Sequence, residues 1–329
     1  MKAVILAAGV GKRLNPFTNF VPKTMLPVLN KPVLEHNILR LKEAGISEIL
    51  INLYHLKEEI ISYFGNGEKF GVNITWRAEQ SLSGPAGALL VFKDLLIDGE
   101  DILILSGDGI HEFSIEKFIK DYKEKRSKMT ILMKEVTNAG RYGVAQLEDN
   151  GKISKFIEKP PIPADQKAIV SCGVYCLNTN LLDLIPSDCI YDYGDIVKSL
   201  IQENEGVYGY VTDDYWIDIG TPGTLLQANK DALLGLINKN HLNLDMDGTT
   251  VVEDNVEIID PVLIGNNVII KEGSKIIGPA IIGNNCTIGK ASYIEDSVLL
   301  KDTILPDYSV TVGGIRWNYE GNIKEKFLI

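Results

Sequence analysis

Short aliphatic runs alternate with helix-spaced apolar positions along the first hundred residues. Ala3–Ala8, Glu48–Leu53, Val72–Ala78 and Asp101–Leu105 have the length and composition of buried strands. Between them, Pro32–Ala44 sets Leu34, Ile38 and Leu41 at helical spacing and stops at Gly45, while Leu56–Phe64 and Pro85–Leu96 predict two more helices. This alternation implies a parallel sheet covered by helices, with ligands bound beyond the carboxyl ends of its strands. Further on, Met129–Val136 and Ala168–Leu177 read as strands. Gly143–Leu147 and Lys152–Ile157 predict a hairpin around Asp149-Asn150-Gly151. Helices are expected over Tyr191–Glu203 and Thr221–Ile237, and a second hairpin from Val207–Val211 and Tyr215–Ile219. Residues 1–244 are therefore read as one α/β domain with a Rossmann-like mixed sheet.

The pattern changes at Asp245-Met246-Asp247-Gly248. Aliphatic residues then recur at every sixth place: Val252, Ile258, Ile264, Ile270, Ile276, Ile282, Ile288, Ile294 and Leu300, with Pro306 next in register. A six-residue period marks a short left-handed parallel β-helix built of hexapeptide repeats, each aliphatic residue stacking inside the solenoid. The run predicts about three coils. Residues 245–329 form this second domain, and Gly314–Ile329 is expected to close its open end.

A chain of 329 residues, 45% hydrophobic, can fill a core for both parts. Its formal charge of −11 argues against nucleic acid or a membrane surface as a general partner. Met1 leads directly into the first strand, leaving no place for a signal peptide, and no apolar run reaches spanning length; a cytoplasmic protein is expected. Cys172, Cys176, Cys189 and Cys286 lack zinc spacing, and the first two are expected to be core residues. Hexapeptide solenoids often carry acyltransferases with a histidine base. Here His36, His55, His111 and His241 all precede the repeat. The solenoid is read instead as an oligomerisation or regulatory element.

The candidate chemistry starts where the first strand ends. Gly9-Val10-Gly11 lets backbone N–H groups approach phosphate, and Lys12, Arg13 and Lys23 follow. A dinucleotide fingerprint fails, because Leu14 stands where the third glycine belongs. A Walker loop fails too: one residue separates the glycines, and Arg13 rather than Ser or Thr follows the lysine. Asp108, after Ser106-Gly107 beyond the strand Asp101–Leu105, is the first carboxylate suited to a phosphate-bound Mg²⁺.

The opening L-A-A-G-V-G-K-R-L-N-P-F-T, with P-K at Pro22-Lys23, L-P-V at Leu26-Pro27-Val28 and K-P at Lys31-Pro32, resembles the signature of sugar-1-phosphate nucleotidyltransferases. Further matches are Gly107-Asp108, Arg141-Tyr142-Gly143-Val144, Phe156-Ile157-Glu158-Lys159-Pro160 and Trp216-Ile217-Asp218-Ile219-Gly220-Thr221. The resemblance implies an enzyme joining a nucleoside triphosphate to a sugar 1-phosphate with Mg²⁺. It implies catalytic roles for Arg13, Lys23 and Asp108, and metal binding by Asp108 and Asp218. The nucleotide would lie against Leu6, Ala8, Gly9, Gly11, Lys12, Gln80, Gly84 and Gly107. The sugar phosphate would meet Gly143, Glu158, Lys159 and Asn178. The two-part plan looks most like mannose-1-phosphate guanylyltransferases, with thymidylyl-, adenylyl- and uridylyltransferases for glucose 1-phosphate as alternatives. A homo-oligomer is expected. A regulatory paralogue that only binds nucleotide-sugar would be expected to lack some of these charged residues, and all are present. The base-reading stretch departs from the family's L-G-T-A-G, with Ser83 inserted and Pro85 in place of Thr.

Overall fold

The computed structural model describes residues 1–237, 249–319 and 322–327. The expected domain boundary at residue 245, and His241, lie outside them. The chain forms two compact units: Met1–Val10, Pro22–Thr24 and Asn37–Trp216 make the first, and Gly11–Val21, Met25–His36 and Ile217–Ile329 the second.

Among the described residues, nine strands form the sheet of the first unit. In chain order they are β1 (Lys2–Leu6), β2 (Glu48–Leu53), β3 (Asn73–Ala78), β4 (Asp101–Ser106), β5 (Met129–Val136), β6 (Gly143–Leu147), β7 (Ile153–Glu158), β8 (Ala168–Asn178) and β9 (Val207–Val211). The main path runs β7-β6-β8-β4-β1-β2-β3, and β5 lies between β8 and β9. Strands β4, β1, β2 and β3 are parallel, whereas β8 runs antiparallel to β4. The sheet is thus mixed. Ala3, Val4 and Ile5 of β1 and Ile102–Leu105 of β4 are fully buried, as covering on both faces requires.

The helices α1 (Val33–Glu43), α2 (Lys57–Phe64), α3 (Ile115–Glu124) and α4 (Tyr193–Gln202) fall within two residues of their expected bounds where the sequence marked them. Pro85–Leu96 does not form the expected helix. Gly84–Gly87 makes one α-turn and Ala88–Phe92 continues as 3₁₀, because two glycines in the first turn weaken the helix. The second expected hairpin is also absent. β9 lies parallel to β5, and the Tyr215 carbonyl accepts the Glu112 amide instead. Thr212-Asp213-Asp214 offers no glycine or asparagine for a tight hairpin turn.

In the second unit, helix α5 (Pro222–Leu233) begins with Thr221 and Thr224 capping each other. Asn229 on this helix bonds the Leu29 amide and the Pro27 carbonyl, fixing the turn between Pro27–Val28 and Lys31–Pro32. The solenoid stacks strands four deep on its faces among the described residues, as in Val251–Val252, Ile269–Ile270, Thr287–Ile288 and Ile304–Leu305. Ile270, Ile276, Ile282, Ile288 and Ile294 are fully buried inside. The hexapeptide register slips by one after Ile294. Leu299 pairs with Ile282, Leu305 with Ile288 and Thr311 with Ile294, and Pro306 is exposed. The cause is a corner: the two residues Gly278-Pro279 of one coil are replaced by the single left-handed Asp296 of the next. Gly314–Tyr319 adds to Val298–Leu299 in parallel, and Asn322–Phe327 returns antiparallel to it. Arg316, 5% exposed, donates to Thr311 Oγ1 and the Val310 carbonyl.

No helix among the described residues is long and apolar enough to cross a membrane.

Candidate active site

The carboxyl ends of β1, β2, β3 and β4 converge on a cavity of about 310 Å³. Leu6, Ala8 and Gly9 come from the end of β1, and Ser106 and Asp108 from the end of β4. Gly84 lies on the opposite rim, with Leu82 and Pro85. This is where a parallel sheet presents ligand-binding loops. Gly107 donates its amide to the Leu6 carbonyl, and a Cβ on it would stand 2.7 Å from that oxygen. Only glycine lets the two strand ends approach so closely. Gly84 sits at φ +84°, where a Cβ would lie 2.5 Å from the Tyr191 carbonyl.

A polar network missing from the sequence reading orders this pocket. Asn52, 1% exposed, accepts from the Ala7 amide and donates to Glu79. Glu79 in turn accepts from the Ser83 amide and hydroxyl. One buried carboxylate, through Asn52, thus ties the chain just after β1 to the turn at Ser83. The clue was present, because Asn52 is a polar residue inside the buried strand E-I-L-I-N-L. Gln80, the expected base contact, is exposed and does not line the described cavity.

At the mouth of β4, Asp108 forms an ion pair with Lys23 and accepts a short hydrogen bond from Ser106 Oγ. Burial raises the carboxyl pKa, but the Lys23 charge and the bonds from Lys23 and Ser106 outweigh it, so the group is held below its ordinary value. Asp108 is therefore a carboxylate at neutral pH. Among the described residues no cluster of three or more His, Cys, Asp or Glu could hold a metal ion. A single carboxylate facing a phosphate pocket fits a hard cation that takes its other ligands from phosphate oxygens and water.

In the second unit, Gly11 at φ +69° turns the chain into the 3₁₀ segment Lys12–Leu14, and Thr18 Oγ1 donates to the Gly11 carbonyl. Lys12 and Arg13 are exposed. Arg13 and Asp218 meet at Gly220, whose Cβ would lie 2.9 Å from Arg13 Nη2 and 2.8 Å from Asp218 Oδ2. The glycine of W-I-D-I-G-T is there because a cation and a carboxylate both occupy the space beside it.

The hairpin of β6 and β7 carries the expected sugar-side residues. A Cβ on Gly143 would stand 2.3 Å from the Phe156 ring and 2.8 Å from Glu158 Oε2. Glu158 pairs with Lys159 at 3.1 Å; Lys159 is largely exposed, so this pair contributes little to stability. Lys159 has φ +46°, a left-handed conformation that costs a non-glycine residue free energy and is typical of functional positions. Asn178 does not join this group. It pairs with Asp101 at the amino end of β4, and its amide donates to Gly99 and Asp101. The strand-end position inferred from sequence was correct, but β8 runs antiparallel to β4, so its carboxyl end lies beside the amino end of β4, away from the Asp108 end.

Burial and the Arg40 charge push the His111 pKa down to about 3, leaving it neutral. His36 Nε2 lies 3.0 Å from the Val28 carbonyl. Burial pushes the thiols of Cys172 and Cys176 up, as in inert core residues.

A phosphate loop and a carboxylate at the ends of parallel strands, followed by a hexapeptide solenoid, define a nucleotide-binding α/β enzyme with an appended β-helix. The nucleotidyl transferase family matches residues 2–234, and the bacterial transferase hexapeptide family (six repeats) matches residues 261–296. A UTP–glucose-1-phosphate uridylyltransferase of Synechocystis is 34% identical over 290 residues, covering 80% of this chain and 74% of its own. The bifunctional protein GlmU of Methanocaldococcus jannaschii is 37% identical over 315 residues, 94% of this chain and 71% of its own. A probable mannose-1-phosphate guanylyltransferase of Oryza sativa is 31% identical over 278 residues, 82% and 76% of the two chains. A Bacillus anthracis structure described as a glucose-1-phosphate thymidylyltransferase superposes with TM-score 0.63 at 28% identity, covering 70% of this chain and 94% of that one. The chain belongs to the nucleotidyl transferase family, and its class is that of the sugar-1-phosphate nucleotidyltransferases.

Proposed function

We propose that the protein joins a hexose 1-phosphate to a nucleoside triphosphate, with Mg²⁺, giving nucleotide-sugar and pyrophosphate. The observation that carries the site assignment is the ionised Asp108 with Lys23 at the end of β4, beside the loop Leu6–Gly9. A sugar phosphate oxygen attacks the α-phosphorus, the new P–O bond forms, and the bond to the β-phosphate bridging oxygen breaks. That oxygen is already a competent nucleophile, so alignment and charge neutralisation carry the rate.

In this reading Gly9, Gly11 and Lys12 cradle the triphosphate, and Arg13 neutralises the departing pyrophosphate. Lys23 leaves Asp108 to bind the reacting phosphates. Asp108 and Asp218 would hold the Mg²⁺, which when bound would supply neutralisation of phosphate charge. Lys159 orients the nucleophile, while Glu158 and the backbone at Gly143 receive the sugar hydroxyls. The Ser83–Pro85 turn, which lines the cavity through Gly84 and Pro85, reads the base. Residues 245–329 serve assembly of a homo-oligomer or regulation, and the enzyme works in the cytoplasm.

Mannose 1-phosphate with GTP is the pair placed first, on the plant relatives that bear that name. Glucose 1-phosphate with UTP comes second, on the cyanobacterial one. Pyrophosphate release with Mg²⁺, measured for ATP, GTP, UTP, CTP and dTTP against glucose, mannose, galactose and N-acetylglucosamine 1-phosphates, decides between them. One active pair identifies the substrates. Folded protein that binds a nucleotide-sugar but is silent across the matrix would overturn the catalytic reading in favour of a regulatory protein.

A further inference from the structure

A second cavity, of about 380 Å³, opens at the amino end of β4. Asp101 is on its wall and begins the strand whose other end presents Ser106. Five residue steps of about 3.3 Å set the two ends roughly 17 Å apart. The cavity is thus separate from the site beside Asp108.

Its chemistry differs from that of the surrounding protein. The chain carries a net charge of −11, yet Lys123, Arg126 and Lys128 all line this one cavity. None of the three forms an ion pair with a carboxylate among the described residues. The cations at the carboxyl end of α3 would offset its dipole wherever they pointed. Lys125 shows what such a residue does when it serves structure alone: it pairs with Asp121 at 3.0 Å and lies over the Tyr208 ring. Arg126 holds its position with φ +47°, a left-handed conformation uncommon for a non-glycine residue.

The acidic group in the cavity is already engaged. Asp101 accepts from the Tyr122 hydroxyl at 2.7 Å and from the Asn178 amide at 3.1 Å, so the floor is held rigid. Asn180 adds an exposed amide beside the cations, and buried Leu181 an apolar wall. The volume lies at the lower end of the range for small-molecule pockets.

We infer that this cavity binds a small phosphorylated sugar, its phosphate on Lys123, Arg126 and Lys128 and its hydroxyls toward Asn180 and the Asp101 floor. The three cations supply charge-assisted hydrogen bonds, and the amide and carboxylate supply partners for hydroxyls. Free phosphate shares the charged half of this chemistry, so the two ligands must be compared directly.

The test is isothermal titration of the full-length protein at low salt with ribose 5-phosphate, which cannot act as a sugar 1-phosphate, and separately with inorganic phosphate. The triple variant Lys123→Ala/Arg126→Ala/Lys128→Ala is titrated beside the wild type. Wild type should bind ribose 5-phosphate more tightly than phosphate. The triple variant should weaken ribose 5-phosphate binding by at least about a hundredfold, each lost charged contact being worth about tenfold or more. Nucleotidyl transfer by the variant should stay at the wild-type rate, because the active end of β4 is untouched. Lys128→Gln alone, a change at an exposed side chain, should weaken binding about tenfold. Wild type that binds neither probe, or variants that bind as tightly as wild type, would overturn the proposal. Equal affinity for phosphate and ribose 5-phosphate would overturn the sugar part of it.

Discussion

At the scale of single residues, two substitutions separate the roles assigned to the carboxylates. Asp108→Asn keeps the shape but removes the charge that Lys23 and Ser106 stabilise. Turnover should fall by at least about 10²-fold, the size of loss seen when one preorganised charge contact is removed. Circular dichroism should be unchanged, and near-wild-type turnover would remove Asp108 from the metal site. The ion pair also has a pH signature. Because the folded-state pKa is depressed, its contribution to stability is present above the ordinary value of 3.8 and is lost as pH falls through the folded value. Gly220→Ala tests the other carboxylate. The added methyl would press on Asp218 and Arg13 together, and should lower kcat/KM by about 10-fold to 100-fold through misplacement alone, with little change in Tm. An unchanged kcat/KM would mean that neither group works from that position. Arg13 and Asp108 stood out in the sequence as charged residues close behind glycines at a strand end, and Lys23 through the P-K match to the family signature. Asn52 was not, since its importance lies in hydrogen bonds to Ala7 and Glu79, both distant in the chain.

At the scale of elements, periodicity located strands and helices well wherever one face is buried. It failed where local and tertiary preferences part. Pro85–Leu96 has helical spacing, but its glycines and its bonds to Tyr191 break it into a turn and a 3₁₀ segment. Val207–Val211 and Tyr215–Ile219 look like hairpin partners by distance along the chain, yet β5 offers β9 a parallel edge that local pattern cannot reveal. In the solenoid, the six-residue period is a direct imprint of stacking, and it held until the one-residue corner at Asp296. The inward and outward faces make a quantitative contrast. Ile276 is fully buried and Ile269 is 40% exposed. Ile276→Ala should cost about 2–5 kcal/mol in urea denaturation, whereas Ile269→Ala should cost about 1 kcal/mol or less. Equal costs would mean that the coil interior is not close-packed.

At the scale of the whole molecule, the question is whether the solenoid only adds mass or also shapes the phosphate loop. The second unit contains both, because Gly11–Val21 belongs to the same compact body as the coils. Trp317, 4% exposed at the end of the solenoid, packs against Phe17 at 6.0 Å and edge-on to Phe20 at 5.7 Å between ring centroids. Thr18, next to Phe17, holds the Gly11 carbonyl from which the Lys12–Leu14 turn starts. A chain of contacts therefore runs from the last coil to the turn that carries Arg13. Nothing in the repeat pattern disclosed it, since Trp317 follows the periodic run and Phe17 lies three hundred residues earlier in the sequence. Trp317→Ala should cost about 3–5 kcal/mol of stability through the cavity it leaves. If the packing also positions Arg13, kcat/KM for nucleotidyl transfer should fall by about 10-fold or more at a temperature where the variant is still folded. Trp317→Phe, which keeps an aromatic ring against Phe17 and Phe20, should recover most of that loss. A variant with lowered Tm but full kcat/KM would show that the solenoid stabilises this unit without shaping its loop.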